Sequence, residues 1–175
     1  MSAQDQLLVV RCQLGEPGAQ RALVERWYVE LRSYARALNQ DEAAADDACQ
    51  DAWIDALRGL PKLRDPSSFR AWLFRVARRR LVDGQRSGAR EARKRSSLGH
   101  AALPVESAVD FEQLDLERGL AQLQPNEREV LLLVHARGLT YAEAAEVLGV
   151  PLGTIRSRLH RARTQLHTHM QRQHT

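Results

Sequence analysis

The chain has 175 residues, 43% of them apolar and only 5% aromatic, which suits one medium or two small globular domains with aliphatic cores and excludes a disordered polymer. Its formal charge of +4 rests on 26 basic residues, of which only Lys62 and Lys94 are lysines. Arginine suits forked contacts to phosphate and guanine, although the coding bias of a GC-rich genome gives the same excess.

Residues 4–13 set Leu7, Leu8, Val10, Arg11 and Leu14 in a short amphipathic helix, broken by Gly15-Glu16-Pro17-Gly18. From Ala19 to Leu38, Leu23, Trp27, Leu31, Tyr34 and Leu38 recur at three- and four-residue steps and form a core-facing stripe. At that spacing Trp27 and Tyr34 read as packing residues rather than base-stacking ones. Asn39-Gln40-Asp41 turns the chain, and Asp41 caps a helix over residues 42–57. Ala45, Ala48, Cys49, Ala52, Trp53 and Ala56 give that helix an apolar seam. Asp41, Glu42, Asp46, Asp47, Asp51 and Asp55 give it an acidic face with no base before Arg58. Such a face repels DNA; it is either ordinary solvated surface or a dock for a basic protein partner. Without a histidine or metal-like partner it is a poor acid–base site.

Gly59-Leu60-Pro61 ends the acidic helix, and residues 62–68 form a loop in which Ser67 or Ser68 caps a helix over residues 69–85. There the charge reverses. Arg70, Arg75, Arg78, Arg79, Arg80 and Arg86 accompany the single acid Asp83, while Trp72, Leu73, Val76, Ala77 and Leu81 face the core. The basic side fits a phosphate track. Residues 87–109 lose periodicity and, rich in Gly, Ser, Ala and Pro, read as a flexible linker. Its basic run over residues 90–95 could follow phosphates or serve solubility alone.

A second domain begins near Phe111. Leu114, Leu116, Leu120 and Leu123 build one helix, ended by Gln124-Pro125, and Asn126 caps another over residues 127–137. The apolar run Val130-Leu131-Leu132-Leu133-Val134 makes that helix the buried centre of a four-helix domain. Thr140 and Glu143 then form a capping box that starts a helix at Tyr141, with Ala144, Ala145, Val147 and Leu148 on its apolar face. Gly149-Val150-Pro151 turns into a helix starting near Leu152, where Ile155, Leu159 and Ala162 face inward. Arg156, Ser157, Arg158, His160, Arg161 and Arg163 face out. A short helix, a tight turn and a basic second helix describe a helix-turn-helix with a DNA-reading helix. The plainer alternative is a helical hairpin with a solvated basic face.

Cys12 and Cys49 share no metal-like spacing and read as small buried apolar residues in a reducing compartment. His160, His167, His169 and His174 crowd the C-terminus, but on a helix His167 and His169 point about 200° apart. With no acidic or cysteine partner nearby, a frayed polar tail is expected and no metal site. The opening MSAQDQLL lacks a basic n-region, and no apolar run is long enough for a bilayer, so the expectation is a cytoplasmic protein.

Four stretches, in this order and spacing, resemble the bacterial RNA polymerase sigma factors of the extracytoplasmic-function class. They are Asp46-Asp47-Ala48-Cys49-Gln50-Asp51-Ala52-Trp53, the run SFRAWLFRVAR over residues 68–78, Leu123-Gln124-Pro125-Asn126-Glu127-Arg128-Glu129-Val130-Leu131, and residues 149–163. The resemblance covers nearly the whole chain outside the linker. It implies an all-α fold of two small helical domains joined by that linker. Residues 1–87 would dock on core polymerase, recognise the −10 element and help melt it. Residues 88–109 would be the linker, and residues 110–175 would hold the helix-turn-helix for the −35 element. Docking on the coiled-coil clamp of polymerase β′ falls to Asp46, Asp47, Gln50 and Asp51, with the β flap as a further expected contact.

For the −10 region the same resemblance implies Arg64, Asp65, Ser67, Ser68, Arg75, Arg78, Arg79 and Arg86. The loop would hold a base flipped from the duplex and the arginines the backbone of the separated strand. For the −35 region it implies Thr154, Arg156, Ser157, Arg158 and His160 at the bases, with Thr140 and Arg161 nearer phosphates. Core RNA polymerase, promoter DNA and an anti-sigma factor are the implied partners. No cofactor, metal or catalytic residue is implied, since the polymerase does the chemistry. Trp72 could wedge into the melting duplex, yet its alignment with Leu73 and Val76 favours packing. Arg79 departs from the family's usual asparagine, which bears on −10 preference, and Ala48-Cys49 replaces its branched apolar pair. An operator-binding helix-turn-helix regulator is the alternative, but it leaves the acidic-then-basic front half unexplained. A sigma-like decoy should lack the arginines of residues 70–86, and a nuclease lacks histidine or glycine-loop support for its carboxylates.

Overall fold

The computed structural model describes residues 1–39, 41–95, 119–120 and 122–173, and every regular element among them is helical. The chain divides into two compact units, the first reaching Gly88 and the second holding most of the helix-turn-helix.

In the first unit α1 (Ala3–Gln13), α2 (Ala19–Leu38), α3 (Glu42–Gly59) and α4 (Phe69–Arg95) pack around one core. α2 supplies the central stripe, with Leu23, Trp27, Leu31 and Tyr34 buried as its periodicity demands. Trp27 meets Phe69 edge-on at 6.0 Å, and Tyr34 meets Phe74 at 5.1 Å and 89°. Such T-shaped pairs add about 0.5–1.5 kcal/mol each beyond the area they bury. On α3 the seam Ala45, Ala48, Cys49, Ala52, Trp53 and Ala56 is buried throughout, and Asp41 caps the helix by accepting from the Ala44 amide. Both cysteines are buried free thiols, and burial pushes the Cys49 thiol up to about 11.

Four expectations need correction here. α1 turns a different face inward: Asp5, Val9 and Cys12 are buried, while Leu7 and Leu14 are 59% and 79% exposed. Leu7-Leu8-Val9-Val10 is apolar on all sides, so tertiary contacts choose the face. The choice is fixed by buried Asp5, which closes a capping box with Ser2 and pairs with Arg26 of α2 at 3.2 Å. The helix expected over residues 42–57 continues to Gly59 and passes into a single turn of 3-10 helix, Leu60–Lys62. On α4 the core residues are Phe69, Ala71, Leu73, Phe74, Ala77 and Leu81, while Trp72 and Val76 sit half-buried at the flank. Trp72 packs against Phe69 and lies over Gly59, where a Cβ would come within 2.9 Å of its ring. Finally, α4 does not stop at Gln85. Its backbone stays helical through Arg95, because Ala, Arg, Glu and Lys outweigh the single Gly88 in helix propensity. The remainder of the expected linker, and the expected start of the second domain with Leu114 and Leu116, lie outside the described residues, as do Gln40 and His174.

In the second unit α5 (Pro125–Leu131) runs into a π-helical turn (Leu132–Ala136), followed by α6 (Tyr141–Leu148) and α7 (Leu152–Gln173). Pro125 takes the first helical position after Gln124, so Asn126 lies inside the helix rather than capping it. Val130, Leu132 and Leu133 are buried, and α5 packs on α7, whose Ile155, Leu159 and Ala162 are buried in turn. Gly149 holds φ +66°, and the Val150 amide reaches back to the Ala145 carbonyl at 3.1 Å, a Schellman closure that lets α6 stop and α7 start after three intervening residues. The expected frayed tail is helix through Gln173, with His167 bonded to Gln171.

Candidate docking face and nucleic-acid interface

The acidic face of α3 is partly neutralised from within. Asp46 accepts a fork from Arg32, at 2.8 Å on each oxygen, and a second from Arg36, at 3.0 and 2.8 Å. Arg36 also meets Glu42 at 3.0 Å. The bonds from Arg36 and Arg32 hold the Asp46 carboxyl well below the usual carboxylate range. Asp55 is paired as well, accepting from Arg80 of α4 at 2.6 Å. Asp47, Gln50 and Asp51 remain exposed at three- and four-residue steps on one side, with Ile54 continuing that side at 42% exposure. Because the folded Asp46 value lies below the unfolded one, its pairing contributes fully above about pH 4 and is lost as pH falls through the folded value. Asp46→Asn should therefore lower the melting temperature by a few degrees near neutrality. The gap to wild type should close in strong acid, as followed by circular dichroism across pH.

The loop before α4 is braced by Asp65 and not by the serines alone. Asp65 accepts from the Ser67 amide at 2.9 Å and from Ser67 Oγ at 2.7 Å, while Ser68 Oγ donates to the Asp65 carbonyl at 2.7 Å. This corrects the capping expectation: Asp65, two residues ahead of Ser67, is the N-cap of a short 3-10 turn (Pro66–Ser68) that feeds α4, its carboxylate taking the free Ser67 amide. The Ser67 bonds also hold the Asp65 carboxyl below its ordinary range. Arg64 is exposed beside this turn, and along α4 Arg75, Arg79 and Arg86 are exposed while Arg78 is half-buried. Arg79 stands 3.9 Å from Asp83.

In the second unit the capping box is complete. The Thr140 amide and hydroxyl donate to Glu143 at 2.7 and 2.9 Å, and the Glu143 amide donates to Thr140 Oγ1 at 3.2 Å. Thr140→Ala should cost this unit about 1 kcal/mol, read as a drop in its thermal midpoint. On the first turns of α7, Arg156, Ser157 and His160 are exposed, and Thr154 and Arg158 half-exposed. Ser157 Oγ donates to the Thr154 carbonyl at 3.1 Å. Arg161 reaches back to Glu127, a carboxylate 6% exposed, at 3.1 Å. Arg163 donates to His135 at 2.8 Å. The exposed charge thus differs by helix, acidic on α3 and basic on α4 and on α7.

Residues 23–91 match the family described as Sigma-70 region 2, and residues 113–166 match Sigma-70, region 4. The chain is 38% identical over 134 residues to the ECF RNA polymerase sigma factor SigC of Mycobacterium tuberculosis, covering 72% of this chain and 70% of that one. The chain belongs to the ECF RNA polymerase sigma factors. The sigma-H factor of Pseudomonas aeruginosa is 32% identical over 174 residues, covering 91% and 90% of the two chains. Among solved structures, the sigma factor RpoE of Bartonella quintana, in complex with the anti-sigma factor NepR, is similar at a TM-score of 0.74 and 27% identity, covering 88% of this chain and 98% of that one.

Sigma factors direct promoter-specific transcription by RNA polymerase, and the family is not an enzyme class. Within this sigma factor the structure gathers Asp47, Gln50 and Asp51 on one exposed side of α3 and draws Asp46 into a fork between α2 and α3. It gathers Arg64, Asp65, Ser67 and Ser68 in one braced turn. Reading along the chain missed Gln13, whose side chain bonds the loop from α1, and Glu127, which holds Arg161. Only the second left a trace, as an acid in the first turn of a helix after proline. Among the described residues no group of three His, Cys, Asp or Glu side chains could hold a metal, and no helix is long and apolar enough to cross a membrane.

Proposed function

We propose that this sigma factor divides its work among three surfaces. Asp47, Gln50 and Asp51 dock on the β′ clamp of core polymerase, with Asp46 keeping α3 seated on α2 beneath them. The braced turn over residues 64–68 holds a flipped −10 base, and Arg75, Arg78, Arg79 and Arg86 hold the separated strand. Thr154, Arg156, Ser157, Arg158 and His160 read the −35 element from the major groove, while Thr140 and Arg161 lie toward phosphates and the second domain meets the β flap. The domain division at residues 1–87, 88–109 and 110–175, with α4 reaching into the middle segment, belongs to this reading. So does a cytoplasmic location.

The observation that carries the reading is the separation of charge. Exposed carboxylates on α3 suit a basic protein surface and would be repelled by DNA, whereas the arginines of α4 and α7 suit phosphate and base edges. An anti-sigma factor is the expected regulatory partner, because a similar sigma factor was solved with one. The test is transcription from a genomic library by sigma-free core polymerase with the purified chain. Chain-dependent transcripts sharing upstream sequence near −35 and −10 are expected. Sequence-specific duplex binding without any transcript would return the chain to the operator-binding alternative.

A further inference from the structure

We propose that Gln13, at the end of α1, is a positioning residue for −10 recognition. Its side-chain Nε2 donates to two backbone carbonyls, Leu60 O at 3.0 Å and Leu63 O at 2.7 Å. Both carbonyls belong to the stretch that delivers the chain into Arg64–Ser68, forty-seven and fifty residues further along the sequence. The inference rests on the reading of that turn as the holder of a flipped base.

The Leu63 carbonyl lies in the same rigid peptide plane as the Arg64 amide, so fixing one fixes the direction in which Arg64 enters the turn. Beyond it the turn is stiff. Asp65 bonds the Ser67 amide and hydroxyl, and Ser68 bonds the Asp65 carbonyl. At its far end Phe69 is fully buried, edge-on to Trp27. A stiff segment held at both ends has its angle set by the two holds. One is the core residue Phe69, and the other is the Gln13 amide. Leu60 is itself buried, so the Gln13 bond is referenced to the core and not to a mobile surface. A binding site displaced by about 1 Å loses much of its selectivity, which is why a group far from the base can govern its recognition.

The experiment uses the full chain with core polymerase and a promoter recovered from the transcription assay. Gln13→Met keeps the length of the side chain and removes both N–H donors, while Gln13→Lys, one bond longer and flexible, brings N–H donors back within reach of the two carbonyls. Gln13→Met should slow open-complex formation about tenfold, the loss of two hydrogen bonds' worth of positioning. It should also flatten the preference among promoters altered base by base at −10. Core-polymerase affinity and −35 duplex affinity should stay at wild-type values, and Gln13→Lys should restore rate and preference together. A purely structural role would lower thermal stability without changing the −10 preference, and that result overturns the proposal. Ser67→Ala separates the two layers of inference. If it changes −10 preference while Gln13→Met does not, Gln13 has no positioning role. If neither changes it, the turn does not hold the base and the proposal falls with that reading.

Discussion

A chain carrying Asp47→Lys and Asp51→Lys is expected to bind core RNA polymerase at least tenfold more weakly than wild type, because like charges brought together at an interface are strongly unfavourable. Asp46 and Asp55 lie on the same helix but are already paired, to Arg32 and Arg36 and to Arg80 respectively, so reversing them would damage the fold as well as the surface. Asp47 and Asp51 are exposed one helical turn apart, with Gln50 beside them. The substitution should therefore leave the melting curve nearly unchanged while moving the affinity. Titration of labelled chain into core polymerase at two salt concentrations measures it, and the wild-type affinity should itself fall as salt rises. Binding of the second unit to −35 duplex should be unaffected. An unchanged affinity for core polymerase would remove α3 from the docking surface.

How far the sequence foretells this arrangement depends on the range of the interaction involved. The bounds of α2 are legible, and its stripe is buried from Leu23 to Tyr34, but the last expected member, Leu38, is only half-buried at the helix end before Asn39. The Thr140–Glu143 box and the Gly149 turn are legible too, since each is a contact between residues no more than five apart in sequence. α1 is not, since Leu7 through Val10 offer apolar groups to every side and the buried face is chosen by Asp5 and Arg26 from different helices. The cap before α4 is only partly legible: Asp65, two and three residues ahead of Ser67 and Ser68, caps the 3-10 turn that feeds the helix, and since all three are good capping types only geometry ranks them. Partnerships between distant positions leave no periodic signal at all. The forks from Arg32 and Arg36 to Asp46, the clamp from Gln13 to the loop and the hold of Glu127 on Arg161 are of this kind. They decide which members of a legible charged face remain available to a partner.

That sorting matters most on α7. Arg156, Arg158, Arg161 and Arg163 look equivalent in sequence, yet Arg161 answers to buried Glu127 and Arg163 to His135, and Arg158 is half-buried. Arg156 is the exposed arginine nearest the start of the helix, one residue beyond buried Ile155, which fixes the rotation of that turn against the core. Helix N-termini enter the major groove first. Arg156→Ala should therefore remove about 1–3 kcal/mol of discrimination at a single base pair of the −35 element, up to a hundredfold in relative affinity. Arg161→Ala should weaken all sequences alike and, by leaving a buried carboxylate without its cation, lower the stability of the second unit. Competition binding against −35 duplexes altered one position at a time distinguishes the two. A loss at Arg156→Ala spread evenly over every duplex would make that residue a phosphate contact and shift base reading toward Arg158 and His160.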